Sequence, residues 1–447
     1  MRPTQAKDHP ADGPPPGPRL VPVPGSPART TAGTPVGGPE HAGPGSVPEP
    51  GTALPAGTGD ARAVDADVPA AVGRVLDHVL ADRLDRARLV DPLFAKDLAE
   101  RVTAFTRHGG KRTRAQLLWW SQRACGGTDL ATAAAALRLG AAVELLQTCA
   151  LVHDDVMDQA AVRRGRPALH TEVSAAFAGR ATPERARRSG DAAAILAGDL
   201  ALAWADDLVA ETPLPAWTAV VVRRLWSDMR TEMVAGQYLD LHGQTTGARS
   251  LPRALRAACL KSALYSVERP LALGAALAGA DDATLRALCS AGRCVGMAFQ
   301  LRDDLDDVFG DPRHTGKPGG GDIREGKPTY LIALARARAE AGDDDTALAV
   351  LDRCVGDAGL TSRDLAEVRR VLVATGARAT VETKIERLVA QGLRHFDRAL
   401  LEPEAARTLR RLLRAAGGAR TGGARPAPDP AADDVARIPS VAGERER

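Results

Sequence analysis

Long stretches in the middle of the chain carry apolar residues at three- and four-residue spacing, in segments rich in Ala, Leu and Arg. This spacing places the apolar side chains on one face of an α-helix. The clearest stretches are residues 70–84, 131–155, 191–210 and 289–309. Gly- and Pro-containing breaks separate them, and we see no alternation typical of β-strands. The pattern predicts an all-α protein built as one large, single-domain helical bundle.

The two ends of the chain differ from this middle part. Residues 1–66 and residues 416–447 are rich in Pro, Gly and Ala, and neither segment has an apolar period. Such segments bury too little apolar surface to offset the entropy of ordering, so we expect two disordered tails. The folded domain is then expected at residues 67–415. A partner-docking role for the first tail is the alternative, although nothing in it resembles a binding motif.

Composition and charge exclude several classes of protein. The 447 residues carry a formal net charge of +3 and only 3% aromatics, which argues against nucleic-acid binding. The six cysteines form no CxxC pair, so we expect reduced, buried thiols rather than a zinc or redox site. The first residues lack the apolar core of a signal peptide, and no long uncharged apolar run predicts a spanning helix. We therefore expect a cytoplasmic protein without membrane segments.

Two acidic clusters of the form D-D-x-x-D each follow an apolar helical stretch. On a helix, the first and last aspartates of such a cluster share a face, where like charges repel. A bound divalent cation removes this repulsion, and Mg²⁺ prefers carboxylate oxygens, with phosphate oxygens completing its shell. The clusters therefore predict Mg²⁺ held between helices together with a phosphorylated ligand. Their aspartates are Asp154, Asp155 and Asp158 in the first cluster, and Asp303, Asp304 and Asp307 in the second.

The positions of the basic residues agree with a phosphorylated ligand. Only seven of the 59 basic residues are lysines, so each lysine stands out. No GxxxxGK[ST] motif is present, which excludes a P-loop. So many cations near several Mg²⁺ ions favour a di- or triphosphate, or two such groups. The cations near the breaks and acidic clusters are Lys111, Arg112, Arg114, Arg163, Arg164, Lys261, Lys317 and Lys327.

These motifs and their order resemble the trans-polyprenyl diphosphate synthases, most closely a bacterial geranylgeranyl diphosphate synthase. GGKRTR, LVHDDVMD followed by RRG, GQ, KSALY, FQLRDDLDD and GDPRHTGKPGGGDIREGKPT occur in sequence. The resemblance covers roughly residues 70–415. It implies a Mg²⁺-dependent prenyltransferase with three ions, which condenses isopentenyl diphosphate head-to-tail with an allylic diphosphate. It also implies a homodimer.

The resemblance assigns roles to residues of this sequence. Asp154, Asp158 and Asp303 correspond to the direct Mg²⁺ ligands, and Asp155, Asp304 and Asp307 to their supporting carboxylates. The positions that hold the allylic diphosphate correspond to Arg163, Lys261, Ser262, Gln300, Lys317 and Lys327. The positions for isopentenyl diphosphate correspond to Lys111, Arg114, Gln147 and Arg164.

The same resemblance bears on product length and on the proton acceptor. Cys149 and Ala150 lie one helical turn before Asp154, where bulky aromatics stop elongation early in this family. Both are small, which favours a product longer than fifteen carbons, with the twenty-carbon product first. Alternatively, a side chain from another helix sets the limit, and farnesyl or longer products remain open. The resemblance implies that departing pyrophosphate takes the proton. His153 is a poorly placed base, since it points about 100° away from Asp154 around the helix.

Two other functions share part of this pattern. A class I terpene cyclase has a first D-D-x-x-D cluster, but it carries an Asn/Ser/Glu metal triad instead of FQLRDDLDD. A regulatory subunit that binds prenyl diphosphate without turnover typically lacks one acidic motif. Both motifs are intact here, so the sequence favours the enzyme over both alternatives.

Overall fold

Helices make up 80% of residues 61–247, 250–311 and 319–418, which are the residues that the computed structural model describes. All of them belong to the compact unit Pro48–Arg447, and the prediction of an all-α single domain is confirmed. The helices are α1 Ala61–Ala66, α2 Val68–Val90, α3 Pro92–Phe94, α4 Glu100–Arg107, α5 Thr113–Ala124, α6 Leu130–Met157, α7 Leu169–Ala176, α8 Pro183–Ala210, α9 Ala216–Thr246, α10 Leu251–Ala258, α11 Arg269–Leu277, α12 Asp282–Phe309, α13 Gly321–Arg324, α14 Tyr330–Ala341, α15 Asp345–Cys354, α16 Ser362–Ala374, α17 Ala377–Phe396 and α18 Pro403–Ala416. Two π-helical segments, Ala95–Ala99 and Cys259–Glu268, continue α3 and α10.

Aspartate side chains define where several long helices begin. Asp67 accepts a hydrogen bond from the amide of Ala70 (3.0 Å) at the start of α2. Asp129 and Asp281 cap α6 and α12 in the same way. Each cap satisfies an amide that the first turn leaves without a partner. The two helices that end in the acidic clusters are therefore capped at their opposite ends.

Helix α6 lies in the centre of the bundle and packs antiparallel to α8. Arg138 near the start of α6 lies beside Glu211 just after α8, and His153 near the end of α6 contacts Ile195. Within the described residues, α6 alone has the length and hydropathy of a membrane span, and 83% of its apolar window is buried inside the protein. Such burial is typical of a core helix, since a membrane span would present this surface to lipid.

Among the described residues, helix α1 begins at Ala61, six residues before the start predicted for the folded domain. Residues 61–66 were assigned to the first tail, but they form α1, where the Val64 side chain is fully buried. Asp65 accepts hydrogen bonds from Trp119 Nε1 (2.8 Å) and from the Arg123 guanidinium. These contacts with residues more than 50 positions away stabilise α1, and its Ala-rich sequence alone does not predict them. At the other end, Ala416, which was assigned to the second tail, is the last residue of α18, and Gly417 and Gly418 are also described. Residues 1–60 and 419–447 of the predicted tails lie outside the described residues.

A short β-hairpin follows the first acidic cluster, although the sequence showed no strand pattern. Strand β1, Val162–Arg163, pairs antiparallel with β2, Arg166–Pro167. The two residues between them have positive φ angles, 52° at Arg164 and 73° at Gly165. A two-residue turn of this kind matches the twist of paired strands. The hairpin is too short for an alternating pattern, and it places Arg163 beside the end of α6.

Candidate active site

One cavity of about 980 Å³ brings the two acidic clusters together. Its walls come from α6, α9, α12, the π-helical segment 259–268 and the residues around α13. Two predicted residues, Lys111 and Arg164, line a smaller adjoining pocket instead. Lys317 lies outside the described residues. The predicted residues that line the large cavity are Arg114, Gln147, Cys149, Ala150, Asp154, Asp158, Arg163, Lys261, Ser262, Gln300, Asp303, Asp304, Asp307 and Lys327.

Asp154 is the centre of the hydrogen bonding on the first wall. Its Oδ1 accepts from Lys261 Nζ (3.2 Å) and from Gln237 Nε2 (3.1 Å). Burial raises the pKa of this carboxyl, but the neighbouring cations, led by Lys261 and Lys327, outweigh burial and leave the pKa below its usual value. Asp154 is therefore held as a carboxylate that faces the cavity.

Asp155 points away from the cavity and anchors the hairpin. Its side chain is 1% exposed, and Oδ1 accepts a 2.6 Å hydrogen bond from Arg163 Nε. Burial raises the pKa of Asp155, although Arg163 opposes that shift. The other oxygen, Oδ2, is buried and has no hydrogen-bond partner in the described part of the chain. Asp155 thus positions the Arg163 side chain through this hydrogen bond.

The three aspartates of the second cluster have different surroundings. Asp303 is exposed at the cavity surface. Asp304 is 5% exposed, accepts a 2.7 Å hydrogen bond from Gln300 Nε2, and has a pKa well above its usual value because of burial. Asp307 accepts hydrogen bonds from the amides of Gly321 (3.2 Å) and Asp322 (3.0 Å). Of the three, Asp303 is the most exposed to the cavity.

Two lysines extend between the acidic groups. Lys261 Nζ lies 3.0 Å from Asp240 Oδ2, in addition to its contact with Asp154. Lys327 Nζ donates to Asp158 Oδ2 at 2.9 Å and lies 2.5 Å from Glu325 Oε2. Burial lowers the pKa of each lysine, but the carboxylates outweigh burial and raise it overall. Both side chains are therefore ammonium groups that balance the negative charge of the cavity.

A second pocket of about 120 Å³ adjoins the large cavity and is rich in cations. The Arg114 guanidinium donates to Ser266 Oγ (2.7 Å) and lies 4.4 Å from the centre of the Tyr265 ring. Gln147 Oε1 is buried and has no hydrogen-bond partner among the described residues. Arg114 Nε is likewise buried without a hydrogen-bond partner among the described residues, and this N–H is a donor available for an anion, whereas Gln147 Oε1 can only accept. The polar residues that line this pocket include Lys111, Arg112, Thr113, Arg114, Glu144, Gln147, Arg164 and Ser266.

The chemistry of these carboxylates fits Mg²⁺ that binds together with phosphate. No group of three or more His, Cys, Asp or Glu side chains within residues 61–247, 250–311 and 319–418 is arranged to hold a metal by itself. Instead Asp154 and Asp158 line the first wall and Asp303 the second. Mg²⁺ in proteins commonly takes one or two carboxylates and completes its shell with water and phosphate oxygens.

The comparison with known proteins decides the family. A profile described as Polyprenyl synthetase matches residues 95–363, more than half of the chain. The chain belongs to this family. A geranylgeranyl pyrophosphate synthase crystal structure from Corynebacterium glutamicum, complexed with isoprenyl diphosphate and magnesium, is 35% identical. That match covers 78% of this chain and 99% of the other, with a TM-score of 0.72.

Curated relatives of this polyprenyl synthetase differ in the product that their names give. A geranylfarnesyl diphosphate synthase of Aeropyrum pernix is 33% identical over 272 residues, which are 59% of this chain and 76% of that protein. A (2E,6E)-farnesyl diphosphate synthase of Mycobacterium bovis is 30% identical over 317 residues, 70% of this chain and 81% of that protein. The resemblance seen in the sequence is confirmed, and the protein is a prenyltransferase.

Several charged residues of this polyprenyl synthetase site were missed in the sequence. Asp240 contacts Lys261, and Asp322 and Glu325 surround Lys327. Asp240 lies three residues after Gln237, on the same helical face, so the GQYLD segment carried a usable signal. Glu144 was missed because it lies inside an apolar stretch, ten residues before the first cluster. Its side chain is 7% exposed among the arginines of the second pocket.

Proposed function

We propose that the protein condenses isopentenyl diphosphate with an allylic prenyl diphosphate in the cytoplasm. The observation that carries this proposal is the pairing of one acidic, lysine-lined cavity with an adjoining cationic pocket. Two anionic substrates need two such sites side by side, because the new carbon–carbon bond forms between them. Related proteins that are named prenyl diphosphate or pyrophosphate synthases support the same reaction.

The allylic diphosphate is assigned to the large cavity. Asp154, Asp158 and Asp303 would hold the metal ions, three of which are expected. Asp155 supports the first cluster through Arg163, and Asp304 and Asp307 support the second. Bound Mg²⁺ would neutralise the diphosphate and stabilise pyrophosphate as a leaving group. The protein groups assigned to this diphosphate are Arg163, Lys261, Ser262, Gln300, Lys317 and Lys327.

The chain's own residues stabilise charge as the allylic carbon–oxygen bond breaks. Lys261 and Lys327 carry fixed positive charge where negative charge grows on the leaving oxygen, so they favour the transition state over the ground state. The apolar part of the cavity excludes water that would trap the carbocation. The proton released in the last step is assigned to pyrophosphate. His153 Nε2 is 3.1 Å from the carbonyl oxygen of Ile195. Because a carbonyl oxygen only accepts, Nε2 carries a proton in this contact and acts as the donor.

Isopentenyl diphosphate is assigned to the smaller pocket. Its groups are Lys111, Arg114, Gln147 and Arg164. Arg114 and Gln147 line both cavities, so a ligand bound there lies beside the allylic site. Such proximity lets the double bond reach the allylic carbon in a favourable orientation.

We also propose geranylgeranyl diphosphate, with twenty carbons, as the main product. Cys149 and Ala150 line the cavity one turn below Asp154, and neither is large enough to close it. The names of the relatives range from farnesyl to geranylfarnesyl products. The product is therefore the part of the proposal that needs direct measurement.

A homodimer is proposed from the apolar surface of α8 and α9. Ile195 and Leu196 on α8 are 48% and 58% exposed, and Trp217 and Val220 on α9 are 79% and 57% exposed. Aromatic side chains such as Trp217 are enriched in the interfaces between proteins. Sedimentation velocity of the purified protein would give twice the mass of one chain if the proposal holds.

The product assay tests the proposed function. Purified protein would be incubated with Mg²⁺, isopentenyl diphosphate and, separately, dimethylallyl, geranyl and farnesyl diphosphates, followed by mass spectrometry after dephosphorylation. We expect a twenty-carbon alcohol that disappears when EDTA is added. A fifteen-carbon product would overturn only the proposed chain length. Failure to condense any primer would overturn the catalytic proposal and leave a non-catalytic binding protein.

A further inference from the structure

The large cavity has a defined end, and a charged side chain lies there. The residues of α9 that line the cavity run from Arg230 to Gly243. Arg230 is therefore the lining residue of this helix that lies farthest from the acidic clusters. Gln237, which contacts Asp154, comes seven residues later. Seven residues of α-helix span about 10.5 Å, or roughly two turns. Cys149 and Ala150 lie five and four residues before Asp154, or about 7.5 and 6 Å along α6, so Arg230 lies about 3–4.5 Å deeper than they do, which is less than one turn.

A half-buried ion pair, with side chains 33% and 39% exposed, orients the Arg230 side chain. Its guanidinium donates through one terminal nitrogen to Asp206 Oδ2 on α8. The other oxygen of Asp206 accepts a 2.7 Å hydrogen bond from Trp226 Nε1. Arg230 Nε is buried and has no hydrogen-bond partner within the described residues. Arg230 cannot swing out of the cavity without breaking its bond to Asp206.

Close packing continues beyond Arg230. Met229 and Ala205 are fully buried, and Trp226 is 3% exposed. On α6, Leu146 is fully buried and does not line the cavity, in contrast to Cys149. A hydrocarbon chain that grows past Cys149 and Ala150 therefore meets the guanidinium and then a filled core.

We propose that Arg230, held by Asp206, ends the cavity for the growing prenyl chain and thereby sets the product length. The inference rests on the proposed condensation and adds a determinant on a different helix from the acidic cluster. A hydrocarbon that presses against the guanidinium removes its remaining hydration without offering a hydrogen bond, which is unfavourable. Cys149 and Ala150 make the cavity deep enough for one further isoprene unit, and Arg230 stops the next one.

Substitution of Arg230 tests this inference in the full-length protein. Arg230→Ala removes both the bulk and the charge, so we expect products at least one isoprene unit longer, with their share raised about tenfold. It should also extend geranylgeranyl diphosphate added as a primer, which the wild type should not. Arg230→Lys keeps a cation near Asp206 and should retain the wild-type product. Asp206→Asn releases the guanidinium and should give a mixture of wild-type and longer products.

Arg223→Ala is the matched control, because Arg223 is exposed on the same helix and does not line the cavity. It should give the wild-type product. If Arg230→Ala condenses isopentenyl diphosphate but its product length is unchanged, the inference is wrong and the proposed function stands. If the wild type forms no product, the proposed function fails first. Should Arg230→Ala fail to fold, Arg230→Met, which keeps most of the volume without the charge, must give longer products, and an unchanged length would reject the role of the charge.

Discussion

Lys327 lies at the centre of a group of opposite charges. Its ammonium group lies within 4 Å of three carboxylates, those of Asp158, Asp322 and Glu325. Lys261 is shared between Asp154 and Asp240 in the same manner. A ligand that brings both cations and phosphate can exchange partners with these pairs, the cations taking the aspartates and the phosphate taking the lysines.

Replacement of Lys261 should damage the reaction more than it damages the fold. Lys261→Met removes a positive charge from the developing pyrophosphate, for which we expect kcat/KM to fall by about 100-fold. Steady-state kinetics with farnesyl diphosphate and thermal unfolding would be measured together. Lys96→Met serves as the control, because Lys96 is exposed and far from the cavity lining. Equal losses in both variants would rule out the proposed role.

Glu144 should make stability depend on pH in a specific direction. Burial raises the pKa of Glu144 above its usual value of 4.5, although Arg114, Arg112 and Arg164 oppose the shift. The folded state therefore holds this proton more tightly than the unfolded chain does, and stability falls as pH rises above about 4.5. Glu144→Gln removes this penalty.

The difference in urea-unfolding free energy between Glu144→Gln and the wild type should thus be small below pH 4.5. It should grow in favour of the variant as the pH approaches neutrality. A variant that is less stable than the wild type at pH 7 would mean that the arginines, and not burial, dominate at this position.

At the level of elements, the π-helical segment 259–268 is held closely by the helices on both sides. A Cβ atom at Gly236 of α9 would lie 2.2 Å from the backbone nitrogen of Lys261. One at Gly296 of α12 would lie 2.6 Å from the Ala263 Cα. Because glycine has no side chain, α9 and α12 can bring their backbones close to the backbone of this π-helical segment at these two positions. π-Helical turns often occur at functional sites, and this one carries Lys261 and Ser262.

Gly236→Ala should therefore move Lys261 and weaken substrate binding. The added methyl group cannot fit without a backbone shift, so we expect KM for the allylic primer to rise about tenfold. Gly274→Ala is a matched control, because its Cβ would lie equally close, 2.2 Å, to the Leu118 carbonyl oxygen at the α11–α5 contact. Both variants should lose thermal stability, but only Gly236→Ala should raise KM. A raised KM in the control as well would mean that general loosening explains the effect.

Features that depend on residue spacing within one helix could be predicted from the sequence. Features that depend on contacts between residues distant in sequence could not. The acidic clusters on α6 and α12 follow from residue spacing within one helix. The π-helical geometry around Lys261 depends on Gly236 and Gly296, which are distant in sequence. Likewise Arg230 meets Asp206 only because α8 and α9 pack together. The aspartates of the two acidic clusters were therefore predictable from the sequence, whereas the depth of the cavity and the Arg230–Asp206 pair required the structure.

At the scale of the whole molecule, buried charges tie the two halves of the site together. Arg269 at the start of α11 donates to Glu232 of α9, with Nε 2.7 Å from Oε2, and both side chains are 1% exposed. Arg293 of α12 donates to Glu268 at 2.8 and 3.0 Å. These pairs connect the helices that carry Gln237 and the second acidic cluster.

Loss of one partner in this network should be costly. Glu232→Ala leaves the buried Arg269 guanidinium without its closest counter-charge, for which we expect a loss of about 3–5 kcal/mol in the free energy of unfolding. Urea titration followed by circular dichroism would measure it. Glu382→Ala, which removes the exposed pair with Arg378 on α17, should cost at most about 0.5 kcal/mol. Similar losses in the two variants would contradict the role of burial.

The closure of the cavity by Arg230 has a consequence for how such enzymes diversify. Arg230 and Asp206 occupy helices α9 and α8, while Lys261, Lys327 and the acidic clusters lie elsewhere on the cavity wall. Product length can therefore drift by point substitution at the far end while the reacting groups stay under selection. A lineage could pass between chain lengths without an inactive intermediate.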